Sequence, residues 1–507
     1  MKGGGRSARA ARNVVVGLLV QVLLLGANVL ARAVFVATLP IDFLGLNTLF
    51  LSIFAVLSIA DLGLSSALTY ALYRPLAAGD VGSVTAIVRY AGRIYRRVSL
   101  IVFCLGLLLV PFLAELSNTV HPVRGLEVYY IILLGNVSLT FLMAHRVVLL
   151  TADQRYDITR LYFLGAETAR IGGQIAVLVL YQSYLGFVII QAMATVAYNL
   201  ALYVVVGRRY PFLREPTWLA ESERSEIVAS MRAMVVYRVS GVMINNTDPI
   251  IISVVSGAAV LGLYSNYLLI TGSLIILAET FFRGVSAGLG DLYARGSPEH
   301  SGLALNELNV VSLWLAAVMG LGVLLCVPDL IAVWLGEDLL LPLSVLVAAA
   351  LNIYLYGSTM AVLTFRELTG AFRRAKFVLA GTALTNLLLS YLLGQHFGVT
   401  GVLVATLLAR LLTNYWFEPL LLFRNYVEGS LRRYFIRQFL YTVFVGLIGA
   451  CLWWTVPRGG DDGVLVKVVL NAFLVMVLVT LGTALIFWRT TEGRSIRSRA
   501  VSLRLRR

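Results

Sequence analysis

Apolar residues run along this chain in stretches of about twenty, broken by short polar gaps, from residue 13 to residue 488. A helix needs about 20 such residues to cross the hydrocarbon core of a bilayer. The stretches predict about fourteen spans, at 13–39, 46–72, 97–114, 127–150, 160–181, 184–206, 233–256, 258–284, 308–335, 342–364, 375–394, 397–423, 436–456 and 464–488. The fold class this implies is an all-α polytopic membrane protein. Only Gln182-Ser183 separates the fifth span from the sixth, which predicts a tight hairpin there.

Basic residues fall in alternate gaps. Of the 41 Lys and Arg, 34 lie in the N-terminal tail, in the gaps near 74–97, 146–160, 207–232, 283–300, 366–376 and 424–437, and in the C-terminal tail. The intervening gaps hold Arg124, Arg458 and Lys467. Short basic loops stay in the cytoplasm during insertion, so both termini are expected on the cytoplasmic side. At 59% hydrophobic and 13% charged, the composition excludes a soluble globule. A net charge of +15 would point to nucleic acid in a soluble protein. Here it edges the inner face, where anionic membrane lipid attracts it, so no nucleic-acid partner is expected. Cys104, Cys326 and Cys451 sit on separate spans without metal or disulfide spacing and read as packing residues. No cofactor or metal is expected, and the absence of a Gly-rich Lys-Ser/Thr motif argues against ATP hydrolysis.

The longest inward gap separates six spans from the next six. The organisation predicted is a basic tail at 1–12, an N-lobe at 13–206 and a linker at 207–232, then a C-lobe at 233–424. Two appended spans at 425–488 and a basic tail at 489–507 complete it. An internal repeat at an offset of 217 supports the two lobes: Gln21, Asn28 and Arg32 map to Arg238, Asn245 and Pro249. Leu44-Gly45-Leu46 maps to Leu261-Gly262-Leu263, and Asp61 falls within one residue of Glu279. An even number of spans between copies makes the repeats parallel, related about an axis along the membrane normal.

Four arginines, Arg32, Arg170, Arg238 and Arg410, fall inside apolar spans. Each near a helix centre costs ~2.5–3.5 kcal/mol to insert, and such residues normally face a cavity or a partner. Gln21, Asn28 and Arg32 share one face of the first span; Arg238, Gly241, Asn245 and Asp248 share one face of the seventh. Matching stripes in two repeats predict a polar cavity between the lobes, with Gln21, Asn28, Arg32, Arg170, Arg238 and Asn245 as binding candidates. Asp61, Asp248 and Glu279 are the coupling or gating candidates, and an Arg32–Asp248 bridge is one form a gate would take. The plainer readings are structural. Glu167 and Arg170 neutralise each other at i, i+3, Arg410 pairs with Glu418 two turns away, and Arg238 snorkels to the inner interface. Pro249 predicts a kink in the seventh span.

Short motifs add a resemblance. Leu44-Gly45-Leu46-Asn47, Ala60-Asp61-Leu62-Gly63-Leu64-Ser65-Ser66-Ala67 and Ala71-Leu72-Tyr73-Arg74-Pro75-Leu76-Ala77 are similar to the prokaryotic polysaccharide (O-antigen type) flippase family. So are Asn246-Thr247-Asp248, Gly262-Leu263-Tyr264-Ser265-Asn266-Tyr267, Trp334-Leu335-Gly336, Arg366-Glu367-Leu368-Thr369-Gly370 and Trp416-Phe417-Glu418-Pro419. That family belongs to the multidrug/oligosaccharidyl-lipid/polysaccharide exporter superfamily. The resemblance implies two six-helix lobes rocking around a central cavity. It implies a substrate of polyprenyl diphosphate bearing an oligosaccharide, flipped from the inner to the outer leaflet for surface polysaccharide or lipopolysaccharide synthesis. It also implies a polysaccharide polymerase and glycosyltransferases as partners. Relatives use cationic cavity residues for anionic substrate groups, and Arg32 and Arg238 are the matching candidates.

A cation-coupled multidrug antiporter of the same superfamily is the alternative, kept open by Asp61, Asp248 and Glu279. A polytopic glycosyltransferase, polymerase or ligase would need sizeable outward loops bearing catalytic groups, and the outward gaps here are short and mostly uncharged. The chain therefore reads as a transporter and not as an enzyme.

Overall fold

The computed structural model describes residues 23–61, 63–215, 217–295, 298–455, 464–495 and 497–498. The tail at 1–12, Gln21, Arg458 and the end of the basic C-terminal tail lie outside the described residues. In chain order the helices are α1 (Leu23–Thr38), α2 (Ile41–Leu57), α3 (Leu64–Ala78), α4 (Val81–Leu108), α5 (Leu113–Ser117) and α6 (Leu126–Ala152). They continue with α7 (Tyr156–Tyr181), α8 (Tyr184–Arg209), α9 (Glu221–Arg295), α10 (Pro298–Leu335), α11 (Leu343–Ser358) and α12 (Met360–Leu368). The last four are α13 (Phe372–Leu412), α14 (Asn414–Asn425), α15 (Leu431–Thr455) and α16 (Val464–Phe487).

Among the described residues, ten helical stretches are long and apolar enough to cross a membrane. Two of them, Val235–Ser286 and Phe372–Asn425, each join two helices across a kink, at Gly257 (φ 88°) and Gly398 (φ 56°). Counted as two each, and with the shorter apolar helices α1 and α2, they give fourteen. The chain is a multi-pass, all-α membrane protein, and the kinks fall where the hydropathy pattern divides spans seven from eight and eleven from twelve. Glycine takes these positive φ angles without the steric cost that a Cβ would add. The α7–α8 hairpin turns at Gln182 (φ 47°), with the Ser183 side chain accepting a bond from the Gly186 N–H to cap α8.

Two segments differ from the pattern-based expectation. The second span is not one helix. After α2, Ser58–Asp61 forms a 3₁₀ turn and Gly63 takes φ 111° before α3 begins. The Ser58 hydroxyl donates back to the Phe54 carbonyl (2.6 Å), the kind of local bond that competes with the helical ladder. The third span starts well before residue 97. α4 begins at Val81, capped by the Asp80 carboxylate accepting from the Ser83 N–H (3.0 Å). Its first turns are amphipathic, with Val84, Ile87, Val88 and Ala91 buried and Arg89, Arg96 and Arg97 exposed. The predicted kink at Pro249 is not a break either. α9 keeps helical angles through Pro249 and leaves them at Gly257.

The helices gather into two compact units, one running Ala27–Gly262 and the other holding Leu263 onward. In the first, Leu64, Leu68 and Leu72 of α3 share a core with Val88, Tyr95 and Val102 of α4, Leu149 of α6 and Leu202 of α8. In the second, α15 and α16 pack their Tyr441, Val445, Val475 and Val479 onto Leu313, Ala316, Ala317 and Leu321 of α10. Polar bonds fix that seam: Trp314 Nε1 donates to Thr480 (3.0 Å), and the Gln438 amide donates to Asn309 (3.1 Å).

The repeat has a physical meaning within the first unit, because its two matched glycines meet. A Cβ on Gly45 would lie 1.8 Å from the Ala258 carbonyl oxygen and 3.0 Å from the Gly262 nitrogen. A Cβ on Gly262 would lie 2.4 Å from the Ile41 oxygen and 3.2 Å from the Gly45 nitrogen. Backbone touches backbone, and any side chain would hold the helices apart. Asn118, at φ 41°, donates its amide to the Val254 carbonyl (3.0 Å), while its own carbonyl lies 2.8 Å from where a Gly257 Cβ would sit. The turn after α9's first half is thus clasped by α2 and by the end of α5, which is why the first unit extends past Gly257.

Candidate functional site

Among the described residues, three clusters of polar groups inside the spans gather sequence-predicted candidates, each within one unit. The first lies on α7. Arg170 bonds Glu167 through Nε (3.1 Å) and Nη2 (2.7 Å), the Gln174 carbonyl through Nη1 (2.6 Å) and the Asn28 carbonyl through Nη2 (3.3 Å). The Gln174 amide in turn reaches Gln191 on α8 (3.5 Å). The helix spacing explains this: 167, 170 and 174 follow i, i+3, i+7 on one face. The guanidinium thus meets its own helix, α1 and a matching carboxylate, the ion pair that the i, i+3 spacing predicts.

The second cluster sits at the break between α2 and α3. The Tyr95 side chain of α4 hydrogen-bonds the Asp61 carboxylate, and Ser65 bonds the Tyr95 hydroxyl in turn. Asp61 Oδ1 is buried and has no hydrogen-bond partner among the described residues. Arg238 of α9 acts on Asp61 through its charge, and its Nη2 donates to the Ser66 hydroxyl (2.7 Å). Arg238 is exposed in the structure, and the group it donates to is a neutral hydroxyl. Farther along α9, Asn245 is exposed and donates to the Gly241 carbonyl (2.9 Å), while Asp248 is half-buried. Arg32 on α1 is half-buried as well. The first-span stripe is therefore represented by Asn28 and Arg32, with Gln21 outside the described residues.

The third cluster is in the other unit. Tyr356 of α11 donates its hydroxyl to Glu279 Oε1 (2.7 Å), and Arg283 one turn on bonds Oε2 (3.1 Å). The Arg410 guanidinium lies over the Tyr356 ring, 5.5 Å from its centroid, a cation–π distance. Arg410 does not pair with Glu418, as helix spacing suggested. Glu418 is bonded by Arg366, from α12, with both side chains at 9% exposure or less. Fifty-two residues separate that pair, so no periodicity along one helix could have disclosed it. Tyr95, Ser66 and Tyr356 are likewise missing from the sequence-based candidates. Tyrosine in an apolar stretch reads as core, and only the placement of a carboxylate beside its hydroxyl shows otherwise.

Sequence comparison gives no relative: no family model matches the chain, and no curated protein matches it. Solved structures do. A structure of the lipid II flippase MurJ in an inward closed conformation superposes with TM-score 0.64 at 15% identity, covering 92% of this chain and 99% of that one. An inward-facing multidrug resistance MATE transporter of the MOP superfamily gives 0.64 at 12% identity, covering 79% and 97%. An outward-facing MATE structure gives 0.52 at 14% identity, covering 80% and 94%. At this identity the likeness is one of fold. The chain has the helical fold of these MOP superfamily transporter structures.

Proposed function

We propose that the chain is a transporter that moves polyprenyl-diphosphate-linked oligosaccharide from the inner to the outer leaflet by alternating access, in the service of surface polysaccharide synthesis. The observation that carries this reading is Arg238. It is a cation within an apolar span, exposed, and bonded to the Ser66 hydroxyl, so its charge remains available to an anion. A carboxylate partner, such as Glu167 provides for Arg170, would cancel that charge. Arg32, Asn245 and Asp248 extend the same polar stripes along α1 and α9. Lobes at 13–206 and 233–424, parallel repeats around a central cavity and cytoplasmic termini belong to this proposal.

A diphosphate carries about two negative charges and cannot cross hydrocarbon unaided; a hydrated, arginine-bearing path offsets that desolvation. Outward movement of two negative charges is favoured by ~4–5 kcal/mol per 100 mV of inside-negative potential. Return of an empty site carrying positive charge is favoured by the same field.

The cation-coupled multidrug antiporter remains the second reading, because Asp61 and Glu279 place carboxylates in the spans. The two separate in a deletion strain complemented with variants. Arg238→Glu and Arg32→Glu, expressed at wild-type level, are expected to abolish surface polysaccharide. Undiminished polysaccharide in both strains, with raised drug sensitivity on deletion, would overturn the flippase reading in favour of efflux.

A further inference from the structure

The break in the second span exposes an arrangement that the transport reading leaves unexplained: a carboxylate held beside the arginine expected to receive an anion. Asp61 ends the 3₁₀ turn, Gly63 reverses the backbone, and Ser66 two residues into α3 receives Arg238. Tyr95 tethers the carboxylate by one bond, leaving Oδ1 without a hydrogen-bond donor in a buried position. A lone oxygen of this kind is costly unless a nearby cation compensates it. The other unit also sets a tyrosine beside a carboxylate, but there the carboxylate is directly ion-paired. Glu279, at the repeat-related position, is tethered by Tyr356, with Arg283 on its second oxygen and Arg410 against the tyrosine ring.

We propose that Asp61 is the resident counter-anion of Arg238, held by Tyr95 to compete with the substrate's anionic head, so that only a strongly charged ligand such as a diphosphate displaces its influence. This rests on the reading of Arg238 as the anion-receiving group. Asp61 is then a specificity-determining group that weakens binding, the reverse of what a polar residue in a binding site usually does. Its repulsion acts on any anion near Arg238 and is worth about a tenfold change in affinity at protein-like dielectric.

The test is binding of inorganic pyrophosphate to the full chain in nanodiscs of neutral lipid, by titration calorimetry. D61N is expected to bind about tenfold more tightly than wild type, and Y95F, which frees the carboxylate but keeps its charge, less than half that change on a logarithmic scale. R238Q is expected to lose binding in both the wild-type and D61N backgrounds. Wild-type binding that D61N leaves unchanged or weakens overturns the counter-anion role while the site reading stands. Binding that R238Q does not affect overturns the site reading itself. D61S replaces D61N if the asparagine variant fails to accumulate.

Discussion

The contact between Gly45 and Gly262 makes a quantitative demand on substitution. An alanine at 45 places its Cβ 1.8 Å from the Ala258 oxygen, and real Cβ contacts essentially never fall below 3.0 Å, so the two backbones must part by at least 1.2 Å. An alanine at 262 faces the Ile41 oxygen at 2.4 Å and forces at least 0.6 Å. Forced expansion of a packed contact costs about 1–3 kcal/mol, while Gly→Ala in a helix returns about 0.5–1 kcal/mol. Gly45→Ala should therefore destabilise by on the order of 1–2 kcal/mol, with Gly262→Ala smaller. Because both side chains wedge one crossing, the first substitution relieves most of the second, and the double variant should lose clearly less than the sum. Gly172→Ala is the control: its Cβ meets nothing within 4 Å, so it should melt at or above wild type. Melting curves by size-exclusion recovery in a single detergent would measure all four. Strict additivity, or a Gly45→Ala curve that matches the Gly172→Ala curve, would refute the crossing.

Further outcomes follow from the ion pairs. Arg366→Met leaves Glu418 buried without its partner and should cost about 3–5 kcal/mol. The double variant Arg366→Met with Glu418→Leu should recover most of that loss in the same melting assay. Arg170→Met should lower the melting temperature, because four acceptors lose their donor, whereas Arg238→Gln should leave it within a degree or two yet impair export. Burial alone would raise the Glu492 carboxyl, but bonds from Arg437 and neighbouring groups outweigh it and leave the carboxyl below its ordinary value. A depressed carboxyl contributes stability that is present above the unfolded pKa of ~4.3 and lost as pH falls through the folded value. Acidification below pH ~4 should loosen the 489–495 segment in hydrogen exchange, and Glu492→Gln should abolish that dependence.

Much of the architecture was legible because membrane insertion writes it into hydropathy. The kinks at Gly257 and Gly398 and the hairpin at Gln182 lie where apolar runs abut, and Glu167–Arg170 follows from helix geometry. The errors have one cause. Hydropathy reports where a chain enters lipid, not where its helix begins, so the basic turns of α4 from Val81 were missed. A 3₁₀ turn at Ser58–Asp61 changes neither apolar content nor length, and it too left no trace in the pattern. At the candidate site, the arginines announced themselves by their cost in lipid. The groups that they and the carboxylates meet did not: Ser66, Tyr95 and Tyr356 come from distant helices and are ordinary residues in any span, and Arg366 reads as one more basic residue of an inward gap.

The turns at Gln182-Ser183, Gly257 and Gly398 join neighbouring helices through one or two residues. Such connections offer little surface to a docking protein, an antibody or a protease. If the chain delivers a lipid-linked substrate as proposed, a protein that takes it over would find no handle at these turns and would have to meet it from the side, against helices in the plane of the bilayer.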